Sequence, residues 1–278
     1  MPALNLGDSD RNRIEKMTVN SYSQNRDSDS INRERLLERI LDIGELMLQS
    51  GAEINRVEDT LCRLGRAYGA VPDVYVIVFS IAVTLRFPDG ATVTQTRRVG
   101  DNDNIDFEKL DKLNDLSRRC CSSPMTVSAL EREIDRIRQK TNPVWILILG
   151  NALGAFSFSV FFGGSVPDGL AAALFSLLIV LLQCTLGKYS TNRILYTMVV
   201  SAIVGLGIGG FCRVVPHFSR PMIMIGDIML LNPGITMINA VREMMVGNTI
   251  SGEIRLIESF TWALALAAGF MLAIHMTA

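Results

Sequence analysis

Residues 222–241 read MIMIGDIMLLNPGITMINAV. The stretch has the length of a helix that crosses a bilayer. It nonetheless holds a carboxylate, Asp227, and a helix break, Asn232-Pro233-Gly234, with Thr236 and Asn239 close behind. A charge near the bilayer centre costs about 3 kcal/mol on insertion scales. Pro233 removes one backbone hydrogen bond and crowds the carbonyl of Met229. Breaks of this kind survive in lipid only where protein or a watery cavity satisfies the freed backbone groups. The stretch therefore predicts a polar site inside a helix bundle. Asn232, Thr236 and Asn239 are spaced i, i+4 and i+7, one face of a resumed helix. The start of that half-helix could meet an anionic carboxylate. Asp227 is the candidate for proton or substrate binding.

Charge is unevenly spread on either side of residue 140. Residues 1–140 hold 21 of the 27 Lys+Arg and 23 of the 28 Asp+Glu, leaving 6 and 5 for the other 138 residues. That remainder is too small to solvate a globular surface, where about a quarter of residues are charged. The chain reads as a polar tail (1–32), a small cytoplasmic α+β domain (33–142) and a transmembrane domain (143–278). The fold class is a membrane protein, an α-helical bundle of about five transmembrane helices preceded by that α+β domain. The near-zero net charge gives no footprint for nucleic acid. The tail lacks the apolar core of a signal peptide. Five cysteines without a CxxC pair offer no disulfide framework, and with the two histidines they show none of the zinc-ligand spacings. No metal and no cofactor are expected.

Five spans are predicted, at 144–162, 169–187, 194–212, 222–241 and 258–277, joined by the polar connectors GGSVPD, GKYSTNR, RVVPHFSRP and REMMVGNTISGEIRLI. Lys and Arg near the spans favour a cytoplasmic N-domain. Gly150 and Gly154, and again Gly205 and Gly209, are GxxxG pairs that allow close helix approach. Asn151 is a further polar candidate within the first span.

Ahead of the spans, Leu36, Leu37, Ile40, Leu41, Ile43, Met47 and Leu48 predict an amphipathic helix ending at Gly51. Ile54, Val57, Leu61, Leu64 and Tyr68 predict a second, with an Asp59–Arg63 pair on its far side. The run 74–87 is too long for one strand and predicts two, or a bulge. Pro88-Asp89-Gly90 turns it into 91–99. Asp101 to Asn104 reads as a loop, and helices follow at 105–120 and 126–139. The domain has no histidine, GxSxG, P-loop or GxGxxG. Nothing points to an enzyme.

Several of these segments together resemble the threonine/serine exporter family. They are GAEINRVEDTLCRLGRAYG (51–69), TQTRRV (94–99), LDKLNDLSRR (110–119) and GDIMLLNPGITMINAVREMMVGNTISGEIR (226–255). The likeness spans about residues 34–277. It implies a multi-pass protein of the bacterial plasma (inner) membrane that exports threonine and serine or, in split members, is linked to dicarboxylates such as succinate. The chain looks like the large subunit of the split type, implying a small hydrophobic partner subunit of the same family and an oligomer in the bilayer. Glu53, Arg56, Glu58 and Asp59 match the family's N-domain signature, and Arg97 and Arg98 its hairpin. Pro233 and Gly234 match its broken span, and Ser251, Gly252 and Arg255 the segment after it. Asp227 is a weaker match. The competing expectation is a membrane-anchored ligand-binding sensor or scaffold, for which Asp227 and Pro233-Gly234 would be dispensable; a membrane-tethered hydrolase comes third.

Overall fold

The computed structural model describes residues 30–100, 105–139, 143–186 and 192–277. The tail up to residue 29, the Asp101–Asn104 loop and most of the connector between the second and third spans lie outside the described residues. Residues 30–32, expected to end the tail, are already helical. The chain forms two compact units, Met1–Lys140 and Thr141–Ala278.

In the first unit, α1 (30–49) and α2 (Ile54–Ala67) support a three-stranded antiparallel sheet, β1 (Val71–Ile77), β2 (Ser80–Arg86) and β3 (Thr92–Arg98), followed by α3 (Phe107–Ser122) and α4 (Val127–Gln139). All seven apolar residues on the predicted face of α1 are buried, as are Ile54, Val57, Leu61 and Leu64 of α2. Both helices end at a glycine with positive φ, Gly51 (87°) and Gly69 (77°), where any other residue would be strained. The long apolar run divides into two strands, with the turn at Val78-Phe79, and the first strand starts three residues earlier than expected. In register, Val83 of β2 faces Val74 on one side and Gln95 on the other. Alternation then puts Ile81, Val83 and Leu85 on the helices. The phenol of Tyr68 donates to the carbonyl of Met125 at 3.0 Å. Burial, followed by the neighbouring Cys120 thiol, pushes that phenol well above its ordinary range.

A buried carboxylate ties this unit together. Asp42 of α1 is 3% exposed and pairs with Arg39 at 3.0 Å, Arg138 of α4 at 3.6 Å, and Arg97 of β3. Burial pulls Arg97 down, but the Asp42 and Glu45 carboxylates outweigh it and hold the guanidinium above its ordinary value. Removing one member of such a network strands the others. Asp42→Asn is therefore expected to destabilise the unit by about 3 kcal/mol. The measurement is hydrogen exchange on the full-length protein, with protection lost in β3 and α4; unchanged protection there would refute the assignment.

The second unit is helical: α5 (Val144–Phe161), α6 (Val166–Thr185), α7 (Arg193–Val214), α8 (Arg220–Leu231), α9 (Gly234–Met245) and α10 (Thr249–Met276). Four of these helices are long and apolar enough to cross a membrane, and α8 with α9 form a bent pair that passes the same test together. Two expectations about the connectors need correction. The VPD of GGSVPD is the first turn of α6, started by a capping box in which Asp168 accepts from the Ser165 N–H at 2.9 Å. The other oxygen of Asp168 accepts from the Ser219 N–H at 2.7 Å, which pins the entry to α8. The segment read as a loop before the last span is almost wholly helical. It ends α9 and begins α10, leaving a turn at Val246-Gly247-Asn248, where Gly247 has a φ of 103°. Polarity suggested a loop there, but no residue from Thr249 onward breaks a helix. Gly252 is needed because α9 crosses so closely: a Cβ there would lie 2.7 Å from the Ala240 carbonyl oxygen.

Three of the four paired glycines lie against a neighbouring helix of the same chain. A Cβ on Gly205 would come within 2.7 Å of the Cβ of Ala273 in α10, and one on Gly209 would overlap Thr277. Gly154 faces Leu230 of α8, whereas Gly150 faces open space.

Candidate functional site

Helices α8 and α9 are bent by 49° at the Asn232-Pro233 break. Asn232 adopts an extended backbone, and the Gly234 N–H turns back to the Asn232 carbonyl at 2.8 Å. Proline at this point leaves α8 without a continuing ladder, so the chain restarts as a second helix. At 12 residues each, the two halves are about 18 Å long, so neither spans the core alone.

Asp227 lies in α8 and is completely buried. Neither of its carboxylate oxygens has a hydrogen-bond partner among the described residues. The neighbouring Gly226 brings α8 against α5 and α6; a Cβ there would lie 2.7 Å from the Ala155 carbonyl oxygen and 3.1 Å from the Cβ atoms of Ala172 and Ser159. Among the described residues the buried Ser159 hydroxyl also has no hydrogen-bond partner. A carboxylate sealed in this way is tolerable only when a proton or a cation neutralises it.

None of the other predicted candidates hydrogen-bonds the Asp227 carboxylate. Asn232 is exposed at the break, and Thr236 and Asn239 are half-buried along α9. Asn151 donates to the Leu147 carbonyl one turn back on its own helix, at 2.8 Å, which satisfies it locally. Glu243 is the residue that the sequence reading missed. It is 3% exposed, and its Oε1 lies 3.1 Å from Nη1 of Arg255 in α10. A signal was present, because Thr236, Asn239 and Glu243 are spaced i, i+3 and i+7 on one face of α9.

The N-domain signature also disperses. Glu58 accepts the Val76 N–H at 3.2 Å, steadying the edge of β1, and Asp59 pairs with Arg63 at 2.7 Å as its spacing suggested. Arg97 belongs to the Asp42 network. Arg56 and Arg98 are exposed, and Glu53 stands at the start of α2. A cavity of about 300 Å³ between α3 and α4, lined by Asp111, Asp115, Arg118, Glu133 and Arg136 among others, contains none of the signature residues. Among the described residues no group of three His, Cys, Asp or Glu could hold a metal ion.

Residues 38–277 match the family model described as "Putative threonine/serine exporter". A protein of Klebsiella aerogenes named "Probable succinate transporter subunit YjjP" is 27% identical over 232 residues, which cover 83% of this chain and 89% of that protein. A protein of the same name from Escherichia coli K12 is 26% identical over 239 residues, or 84% and 91% of the two chains. No solved structure matches the chain.

Proposed function

Since the chain belongs to the threonine/serine exporter family, we propose that it is the large subunit of a two-chain exporter of the bacterial plasma membrane. Membership makes it a multi-pass membrane transport protein rather than an enzyme. The proposed cargo is a small hydroxy amino acid or a dicarboxylate such as succinate, moved with the help of a small hydrophobic partner subunit. The name of the two relatives, "Probable succinate transporter subunit YjjP", supports a dicarboxylate cargo and a partner chain. In this reading the first unit is cytoplasmic, as the distribution of Lys and Arg favours.

The observation that carries the proposal is the buried Asp227, without a hydrogen-bond partner among the described residues, in the first half of a broken span. An anchor would have no use for either feature. In the proposed cycle Asp227 takes the counter-proton. Its neutralisation biases the α8–α9 break between two arrangements, and Thr236 and Asn239 contact the cargo from α9. Co-expression with the small subunit should lower internal threonine or succinate and raise it in the medium, and collapsing the proton gradient should abolish that export. Export that survives an uncoupler would overturn the coupling, and an unchanged metabolite profile would overturn the exporter reading.

A further inference from the structure

We propose that Arg255 is the carboxylate-binding residue of the transport site and that Glu243 occupies it in the cargo's absence. The proposal rests on the exporter reading above and names the group that selects an anionic cargo.

Such a cargo needs a cation held out of bulk water, and the second unit has few cations of any kind. Arg193 stacks on Trp262, with its guanidinium carbon 3.5 Å from the ring centroid. Arg220 is committed to the end of α10, donating to the Thr277 carbonyl at 3.2 Å. Arg213 and Arg242 are exposed near helix ends, and Lys188 lies outside the described residues. Arg255 differs from all of these. Its side chain is only 11% exposed, and the group it faces is itself a carboxylate that is 2% exposed.

Its contact with Glu243 is also incomplete. One guanidinium nitrogen, Nη1, approaches one oxygen, Oε1, at 3.1 Å. A guanidinium that recognises a carboxylate fully offers two parallel N–H groups. Among the described residues this is the single contact of that fork, which leaves its other N–H groups to offer a second carboxylate.

Glu243 ends the polar face of α9 that begins at the break and includes Thr236 and Asn239. The track thus runs from the bend between α8 and α9 to a cation on α10. Gly252, one turn before Arg255, lets α9 and α10 approach closely enough for the pair to meet. A cargo carboxylate would displace Glu243 from Arg255, while hydroxyl or amide groups of Thr236 and Asn239 contact its other polar end. Glu243 acts as an internal competitor, and an internal competitor lowers apparent affinity by the fraction of time it occupies the site.

That competition gives a test which a purely structural ion pair would fail. Binding of succinate and of L-threonine is measured by calorimetry on the full-length protein in detergent, with its small subunit present. Glu243→Gln is expected to tighten binding of the transported compound by about fivefold, by removing the competitor. Arg255→Gln is expected to weaken it by more than about tenfold, and Arg255→Lys to keep part of it, because a lysine supplies the charge without the fork. The double variant Arg255→Met with Glu243→Met keeps the seam packed without charge. It should melt near the wild-type temperature and bind neither compound. If Glu243→Gln binds no more tightly than wild type, or a folded variant without Arg255 binds as wild type does, the proposal is overturned. If the wild-type protein binds neither compound, the cargo reading itself fails.

Discussion

Asp227→Asn is expected to leave the chain folded in the membrane and to reduce net export more than about tenfold. Asparagine matches aspartate in size, so the tight seam of Gly226 with Ala155, Ala172 and Ser159 remains packed. What it lacks is the ability to gain and lose a proton. A carrier frozen in the neutral state should still exchange cargo for cargo while failing to drive net efflux. Two measurements on proteoliposomes or cells separate the cases: net efflux down a proton gradient, and exchange of labelled for unlabelled compound. Loss of efflux with exchange retained supports the coupling role. Net efflux at the wild-type rate would show that Asp227 has no part in the cycle, however buried it is.

Gly269→Ala is expected to be as damaging to the fold as Asp227→Asn is to flux, although it adds a single methyl group. A Cβ at Gly269 would overlap the Ser201 hydroxyl and the Met198 carbonyl oxygen and lie 3.0 Å from the Ala202 nitrogen, so it meets the backbone of α7 as well as a movable side chain. Backbone cannot step aside as a rotamer can. Overpacking of this kind costs about 1–3 kcal/mol, and Gly269→Leu should prevent the α7–α10 seam from forming. The same change at Gly210 is the control, because nothing lies within 4 Å of its added Cβ. Alanine there should be neutral or gain up to about 1 kcal/mol of helix propensity. The comparison is read as thermal melting of the detergent-solubilised protein. Equal melting temperatures for the two alanine variants would rule out the close α7–α10 approach.

The elements that were legible in the sequence are those with a local cause. The seven-residue apolar face of α1, the glycines ending α1 and α2, and the Asp59–Arg63 pair each follow from spacing within one or two helical turns. The break at Asn232-Pro233 is equally local, since proline lacks a donor in any surroundings. The connector after α9 misled for the opposite reason. Its composition is polar enough for a loop, but Glu243 and Arg255 face one another across two helices and are not spread into water. Two of its charges belong to a pair whose members are twelve positions apart.

Arg97 shows the same limit in the first unit. Its place in TQTRRV suggested a site residue, whereas its partners, Asp42 and Glu45, lie more than fifty positions earlier on α1. Arg98 beside it points to the other face of the strand and is exposed.

The sequence by itself determined that the chain has a charged part and an apolar helical part, where most of the helices and strands run, and that the span holding Asp227 is broken at Asn232-Pro233. These follow from hydropathy, periodicity and the chemistry of proline and glycine, all of which act over a few neighbouring residues. Only the tertiary structure decided that Asp227 is sealed without a hydrogen-bond partner among the described residues, that Asn232 is exposed at the break, and that Glu243 meets Arg255. The glycines of α7 serve α10 within the same chain for a similar reason. Burial and pairing are set by which helix faces come together, and no local pattern carries that information.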